Sequence, residues 1–240
     1  MTERIAKFLA RSGVCSRRKA EEYIRQKRIT VNGEVIESPA YNVKGDEKIL
    51  FDGEKIAAKE PTRLWLYYKP VGLVTSHKDE KDRKTVFEML PENMPRVISV
   101  GRLDLNSEGL LLLTNSGDLA RKLELPSNGW SRRYRVRVHG AVKKDKLAEL
   151  ENGVVIDGIK YQPAKIVLDS EQGSNSWLTV TIKEGKNREI RKMMKHIGLD
   201  VARLIRVSYG PFQLGNLKIG QVKEVAGKVL KEQLGEIFVL

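Results

Sequence analysis

The stretch that decides the fold is Gly101-Arg102-Leu103-Asp104-Leu105-Asn106-Ser107-Glu108-Gly109, followed by the apolar run Leu110-Leu111-Leu112-Leu113-Thr114. Residues 97–100 predict a strand leading into the loop, and the leucine run predicts a buried strand leading out, stopped by turn residues at 115–117. Asp104 therefore lies in a glycine-bounded loop between two strands, a rigid support of the kind that a catalytic group needs. On the local pattern alone, a turn or capping aspartate is the simpler interpretation.

The charge of the chain narrows the class of partner. Its 240 residues include 44 Lys and Arg against 31 Asp and Glu, a formal net charge of +13. This excess favours a polyanion, with nucleic acid as the first choice; the alternative is a solvated basic surface. No apolar run approaches the about 20 residues of a membrane span, and the first residues lack the pattern of a secretory signal. We therefore expect a cytoplasmic protein without a membrane partner.

The side chains that bind metals are sparse. Cys15 is the single cysteine, and His77, His139 and His196 lie far apart without ligand-type spacing, so neither a disulfide framework nor a metal site is predicted. The chain also lacks a phosphate-binding GxxxxGK[ST] loop and a GxSxG elbow. The remaining candidates for catalytic groups are carboxylates, tyrosines and arginines.

A short polar segment with a proline, residues 57–62, predicts a linker. It divides the chain into a small first domain, residues 1–59, and a larger second domain, residues 60–240. The second domain alternates strands and helices without the regular period of a doubly wound sheet. We expect an α+β fold with a mixed, largely antiparallel sheet.

The first domain has a clear local pattern. Ser16 is a typical N-cap for a second helix, and Asn32-Gly33 predicts the type I′ turn of a hairpin. Residues 42–51 predict one further strand. The outer side of the second helix is basic and suits a phosphate backbone, although such a face is usually only solvated; its candidate RNA contacts are Arg17, Arg18 and Lys19.

Two segments of the second domain combine cations with a buried face. Residues 134–138 alternate strictly and predict a half-buried strand with a cationic side. Its Tyr134 suits stacking on a base, or is a plain strand aromatic. Residues 184–198 follow a strand and open a helix with one apolar face. The basic side of this helix fits an RNA backbone with one arginine turned toward a carboxylate, or a solvated surface.

These motifs, in this order, resemble the RsuA/RluB family of bacterial ribosomal RNA pseudouridine synthases, and most closely its large-subunit (RluB-type) members. Residues 1–58 resemble the S4 RNA-binding domain. The motifs that carry the resemblance in the second domain are Tyr68-Lys69-Pro70-Val71-Gly72, Gly101-Arg102-Leu103-Asp104 with residues 109–115, Tyr134, Glu184-Gly185-Lys186-Asn187-Arg188-Glu189-Ile190-Arg191, and Leu204-Ile205-Arg206 with Gly210.

The resemblance implies isomerisation of a specific uridine in ribosomal RNA, in the 23S molecule or its precursor, by a monomer without a cofactor. It implies that Asp104 is the essential carboxylate, that Tyr134 stacks on the base, that Arg191 pairs with the aspartate and that Leu204 packs in the pocket. Three positions depart from the family pattern: Arg132 replaces a usual lysine, Leu125 replaces a common histidine, and Glu189 replaces a frequent glutamine. The expected RNA contacts are Arg17, Arg18, Lys19, Lys69, Arg102, Arg132, Arg133, Arg188 and Lys192.

Several alternatives remain open at this point. Asp104 could add to the uracil ring, attack the sugar or abstract a proton. A non-catalytic RNA-binding or ribosome-assembly factor would bind RNA in a salt-sensitive manner without modifying it. A DNA-binding regulator has less support, because no helix-turn-helix or dimerisation heptad is present.

Overall fold

The computed structural model describes residues 2–56, 60–77 and 79–235, which form two compact units. The first unit contains the chain up to Arg63 together with Met94–Ile98 and Asn115–Gly117, and the second contains the rest. Residues 57–59 of the predicted linker lie outside the described residues. Within the described parts, no helix is both long and apolar enough to cross a membrane.

The first unit combines two helices with short strands. A four-stranded antiparallel sheet has the order β3-β2-β5-β6, and β1 pairs with β4. The elements are β1 (Glu3–Arg4), α1 (Ile5–Arg11), α2 (Arg17–Arg25), β2 (Ile29–Val31), β3 (Glu34–Val35), β4 (Asn42–Val43), β5 (Ile49–Phe51) and β6 (Glu54–Lys55).

Two features of this unit agree with the predictions from the local sequence. The Ser16 hydroxyl accepts a hydrogen bond of 3.2 Å from the backbone N–H of Lys19, as an N-cap does. Asn32 and Gly33 have φ values of 52° and 90°, which confirms the predicted turn between β2 and β3.

The prediction of one strand over residues 42–51 is wrong. The segment forms two strands, β4 and β5, that belong to different sheets. Between them the Glu47 carboxylate accepts hydrogen bonds from the backbone N–H groups of Lys44 and Gly45, and Gly45 has a φ of 98°. This side-chain-stabilised turn breaks the strand.

The second unit is built on one large sheet with the order β13-β14-β10-β15-β9-β7-β17, to which β8 and β16 are added. The pairs along this strand order are antiparallel except for β9 with β15, so the predicted mixed, largely antiparallel α+β fold is confirmed. The elements are β7 (Leu64–Lys69), β8 (Ile98–Val100), β9 (Glu108–Thr114), α3 (Gly117–Glu124), β10 (Arg132–His139), α4 (Lys144–Glu151), β11 (Val154–Ile156), β12 (Ile159–Tyr161), β13 (Lys165–Gln172), β14 (Asn175–Ile182), α5 (Glu189–His196), β15 (Asp200–Tyr209), β16 (Phe212–Gln213), β17 (Val222–Glu224) and α6 (Gly227–Leu234).

The leucine run forms β9, and all seven of its residues are buried. The strand lies between β7 and β15 in the interior of the sheet. A strand covered on both faces has no polar side to show in its sequence. This arrangement positions the Asp104 loop, which enters β9 directly.

Candidate active site

A cleft of about 570 Å³ opens in the second unit. Its wall is made by the loop that precedes β9, by β10 and β15, and by the loop between β14 and α5. The predicted site residues that line it are Arg102, Asp104, Arg132, Tyr134, Arg188 and Leu204. The fold therefore brings together motifs that are up to a hundred residues apart in the sequence.

Asp104 is held in a loop whose backbone is well bonded. The Thr75 hydroxyl donates to the carbonyl of Leu103 at 2.9 Å, and the N–H of Gly72 donates to the carbonyl of Leu105 at 2.8 Å. The Asp104 side chain is about one-third exposed, and its Oδ2 lies 3.6 Å from Nη1 of Arg188. The carboxylate is thus accessible and partly neutralised.

The Lys69 side chain is fully buried beneath this loop, so its predicted role as an RNA contact is wrong. Its ammonium donates to the carbonyls of Pro70, Asp104 and Ser107 at 2.9, 3.2 and 2.9 Å. Burial lowers the pKa of Lys69 to about 8, although the nearby carboxylates of Asp104 and Glu108 oppose the shift. Lys69 therefore anchors the loop and is not available to phosphates.

Arg191 also binds the loop backbone. The prediction that it pairs with the Asp104 carboxylate is wrong. Arg191 donates to the carbonyls of Asn106 at 2.7 Å and Val201 at 3.3 Å. In the described part of the chain, the cation within 4 Å of the Asp104 carboxylate is Arg188. Burial and the Arg188 charge lower the pKa of Arg191, while the Asp104 charge raises it. Arg191 thus acts on Asp104 at longer range and through the loop.

Arg132 is nine-tenths buried, and its hydrogen bonds lie within the protein. It donates to the carbonyls of Trp130 and Lys183 and to the Tyr209 hydroxyl, which in turn donates to the carbonyl of Leu123. A guanidinium used in this way builds the wall of the cleft, and the predicted phosphate contact is not supported. The family's lysine could not make this forked set of bonds.

Tyr134 and Leu204 belong to the apolar part of the cleft, with exposed fractions of 8 % and 6 %. They lie on the adjacent strands β10 and β15, on the face that the alternation of β10 turns inward. A planar ring and a branched apolar side chain in one wall suit a flat heterocycle.

The other predicted RNA contacts lie outside the cleft wall. Arg133 is exposed on the opposite face of β10 and donates to the Gln213 side chain at 2.9 Å. Lys192 is half-buried on α5. In the first unit, Arg17, Arg18 and Lys19 are exposed on α2.

Sequence reasoning missed a pair of carboxyl groups, Glu184 and Glu189, that line the cleft. The Glu184 carboxylate contacts the Lys186 ammonium and accepts a hydrogen bond of 2.8 Å from the N–H of Gln162. Glu189 is 3 % exposed; its Oε2 accepts a 2.9 Å bond from the Lys186 N–H, and its Oε1 is buried with no partner. Burial, and then the Glu184 carboxylate, raise the pKa of Glu189 to about 8. A protonated Glu189 can donate to Glu184, as the family's frequent glutamine would.

Replacing Glu189 with glutamine should remove a pH dependence of stability. Because Glu189 keeps its proton in the folded chain up to about pH 8, but ionises near its ordinary value of 4.5 when unfolded, the wild-type protein should lose stability as the pH rises between these values. The slope is up to about 1.4 kcal/mol per pH unit. The free energy of unfolding of Glu189→Gln, measured in urea at several pH values, should increasingly exceed that of the wild type.

The exposed Glu171 provides the matched control. Glu171→Gln should follow the wild-type curve, because its carboxyl group lies at the surface. Parallel curves for Glu189→Gln and the wild type between pH 5 and 8 would show that Glu189 is ionised in the folded protein.

Two families match this chain. Residues 63–196 match the family described as RNA pseudouridylate synthase, and residues 3–49 match the S4 domain. The chain belongs to the RNA pseudouridine synthases and is an isomerase of that class, with an S4 domain before the catalytic domain. This finding confirms the family resemblance and the enzymatic interpretation.

Individual relatives extend the match over nearly the whole length. An RNA pseudouridine synthase of Rickettsia felis is 52 % identical over 96 % of this chain and 100 % of its own length. The ribosomal large subunit pseudouridine synthase B of Bacillus subtilis is 37 % identical over 95 % of this chain and 94 % of its own. A crystal structure of a pseudouridylate synthase superimposes with a TM-score of 0.69 at 26 % identity, covering 96 % of this chain and 99 % of that one.

Proposed function

We propose that this protein converts one uridine of ribosomal RNA, in the 23S molecule or its precursor, to pseudouridine, with Asp104 as the essential carboxylate. The observation that carries the proposal is an accessible carboxylate facing a guanidinium at 3.6 Å, in a cleft that Tyr134 and Leu204 also line. The large-subunit assignment is supported by the name of the relatives from Bacillus subtilis and Yersinia pestis, which are 37 % and 40 % identical.

The reaction needs no external reagent. The bond between C1′ and N1 breaks, the uracil turns, a bond forms between C1′ and C5, and the proton leaves C5 while N1 gains one. Substrate and product therefore have the same composition, so no cofactor is required. A uridine inside a helix must first be extruded, at a cost of a few kcal/mol, and phosphate contacts from exposed cations offset that cost.

The proposal assigns roles to four residues that line the cleft. Asp104 adds to the ring, attacks the sugar or abstracts a proton. Arg188 neutralises the charge of Asp104 when bound RNA excludes water from the cleft. Tyr134 stacks on the extruded base, and Leu204 packs against it. The proposed RNA contacts are Arg102 and Arg188 at the cleft, and Arg17, Arg18, Lys19, Arg133 and Lys192 outside it. The enzyme would act as a cytoplasmic monomer.

Mapping pseudouridine in ribosomal and transfer RNA from cells with and without this chain tests the proposal. One position should lose its pseudouridine in the deletion strain and regain it with the wild-type gene, but not with Asp104→Asn. Loss of a position in the 16S molecule or in transfer RNA would overturn the 23S assignment. An unchanged map would overturn the proposed ribosomal RNA substrate.

Arg191→Met should reduce single-turnover pseudouridine formation by about 10- to 100-fold, because the carbonyls of Asn106 in the loop and of Val201 on β15 lose their donor and each loss costs about 1–3 kcal/mol. RNA affinity, measured by filter binding, should stay within about threefold, since the Arg191 guanidinium is engaged inside the protein. Arg188→Met is the comparison: its side chain is half exposed, so it should weaken RNA binding as well. Equal loss of rate and affinity in Arg191→Met would instead identify Arg191 as a backbone contact.

A further inference from the structure

Arg206 is a buried cation with an unpaired nitrogen in the wall of the cleft. It lies on β15 and is 3 % exposed. Its Nε donates to the carbonyl of Leu110 at 2.7 Å, whereas Nη2 is buried without a hydrogen-bond partner. Among the described residues, no carboxylate forms an ion pair with Arg206, which would require a nitrogen–oxygen distance of 4 Å or less. Because burying an unpaired charge costs several kcal/mol, such a group points to a ligand that is absent from the free protein.

Two other buried cations, Arg132 and Lys69, lie near Arg206. Its guanidinium carbon lies 5.2 Å from the centre of the Tyr209 ring, and that of Arg132 lies 4.7 Å from the same ring. The charge of Arg206 also contributes to lowering the pKa of the buried Lys69. The buried positive charges thus repel one another, although contact with the Tyr209 ring offsets part of the cost, and a partner that carries or develops negative charge would relieve the repulsion.

The base is a better match for this nitrogen than a phosphate is. In the strand register Arg206 lies opposite Tyr134, the residue proposed to stack on the uracil. Phosphates remain solvated at the rim, where the exposed Arg102 and Arg188 are available. A carbonyl oxygen on a stacked ring can enter the wall of the cleft, and the fixed charge of a guanidinium suits an oxygen that gains electron density.

We propose that Arg206 is a catalytic residue that donates a hydrogen bond to a carbonyl oxygen of the extruded uracil and stabilises the negative charge that the ring acquires. This inference rests on the proposed isomerisation of uridine. If Asp104 adds to C6, the electron pair of the C5–C6 double bond moves onto the C4 carbonyl. If Asp104 attacks the sugar or takes its proton, the C1′–N1 bond breaks and leaves its electron pair on the ring, shared by N1 and both carbonyls.

In every route the ring is more negative in the transition state than in the ground state, and a donor already in place lowers that barrier. The ring loses this negative charge in the later steps. C5 bonds to C1′ and releases its proton, and N1 takes up a proton. Arg206 takes part only as a hydrogen-bond donor, since a guanidinium has no acceptor atom. Its contribution is therefore electrostatic.

The test compares two RNA substrates in single turnover with three variants. One 23S fragment carries uridine at the position found by mapping, and the other carries 5-fluorouridine, whose electron-withdrawing fluorine lets the ring hold negative charge more readily. The measured quantity is the rate at which the N-linked uridine or 5-fluorouridine disappears. It is determined by nuclease digestion and mass spectrometry of samples taken during the reaction. The variants are Arg206→Met, Arg206→Lys and Arg137→Met, the last an exposed arginine on β10 that controls for the loss of one charge.

With uridine, Arg206→Met should be slower than the wild type by about 10²–10³-fold, the usual effect of removing one such donor. With 5-fluorouridine the ratio of the wild-type rate to the Arg206→Met rate should be at least tenfold smaller, since the fluorinated ring depends less on an external donor to stabilise its negative charge. Arg206→Lys should lie between the two, and Arg137→Met should stay within threefold on both substrates. RNA affinity should change little in all variants.

Two results would overturn the inference without touching the proposed function. Arg206→Met could retain the wild-type rate, which would make the guanidinium purely structural. Alternatively, the loss could be equal on both substrates, which would mean that Arg206 only shapes the cleft. If thermal denaturation shows that Arg206→Met is unfolded, Arg206→Lys carries the same comparison. A wild-type protein inactive on every uridine substrate would instead refute the proposed function.

Discussion

Asp104→Asn is expected to reduce the rate of pseudouridine formation by about 10⁴-fold or more, while RNA affinity stays within about threefold of the wild type. Asparagine has nearly the shape of aspartate, but it has no negative charge and is a poor nucleophile and base. All three routes open to Asp104 require such a group, so the variant should lose the chemical step by whichever route the reaction proceeds.

Binding should survive because the RNA contacts and the loop scaffold remain. The loop is held through backbone carbonyls by Lys69 and Arg191, and neither depends on the Asp104 side chain. The rate is best measured in single turnover, with the protein in excess over the RNA substrate, so that product release does not mask the effect.

Asp145→Asn provides the matched control, since Asp145 lies exposed in the first turn of α4 and its loss removes the same charge. This variant should keep the wild-type rate. If Asp104→Asn retained a tenth of the activity or more, another group would have to supply the chemistry. A parallel loss of RNA affinity would assign Asp104 to binding.

The parts of this structure that the sequence predicts are those determined by neighbouring residues. The leucine run before Thr114 has no polar face, which is the pattern of a strand buried on both sides. The buried face of α5, with Ile190, Met193 and Met194, follows from helical spacing. The cap at Ser16 likewise depends on one short segment.

The pairing of side chains across the cleft could not be predicted in the same way. Periodicity shows which face of α5 is polar, but both Arg188 and Arg191 lie near that face, and only the fold decides which one reaches Asp104. In the structure Arg188 adopts a φ of 53° just before the helix, a backbone feature that a helical pattern does not contain.

The burial of cations is the second limit of sequence reasoning. Lys69 and Arg206 are fully or almost fully buried, although both residue types are usually exposed. The arginines of β15 also interrupt its apolar alternation, so this central ten-residue strand was not predicted as a strand. Its partners β9 and β10 are distant in sequence, and their contacts carry no local signal.

Gly109 marks the point where two of these distant strands meet most closely. It pairs with Arg206 in the parallel register between β9 and β15, and its φ is 101°. A Cβ atom built on Gly109 would lie 2.3 Å from the carbonyl oxygen of Arg206 and 2.7 Å from its nitrogen. Both contacts are with backbone atoms, so no side chain can rotate to relieve them.

Gly109→Ala is therefore expected to lower the free energy of unfolding by about 3–5 kcal/mol, since overpacking adds to the cost of the positive φ. Gly101→Ala, at the other end of the Asp104 loop, is the matched control: its φ is 66°, but nothing lies within 4 Å of an added Cβ, so only a conformational cost of about 1–2 kcal/mol applies. Urea unfolding of the two variants measures the difference, which is the cost of separating β9 from β15. Equal stabilities would mean that the strands can part at no cost. Because Arg206 lies at this contact, Gly109→Ala should also lose more activity than Gly101→Ala.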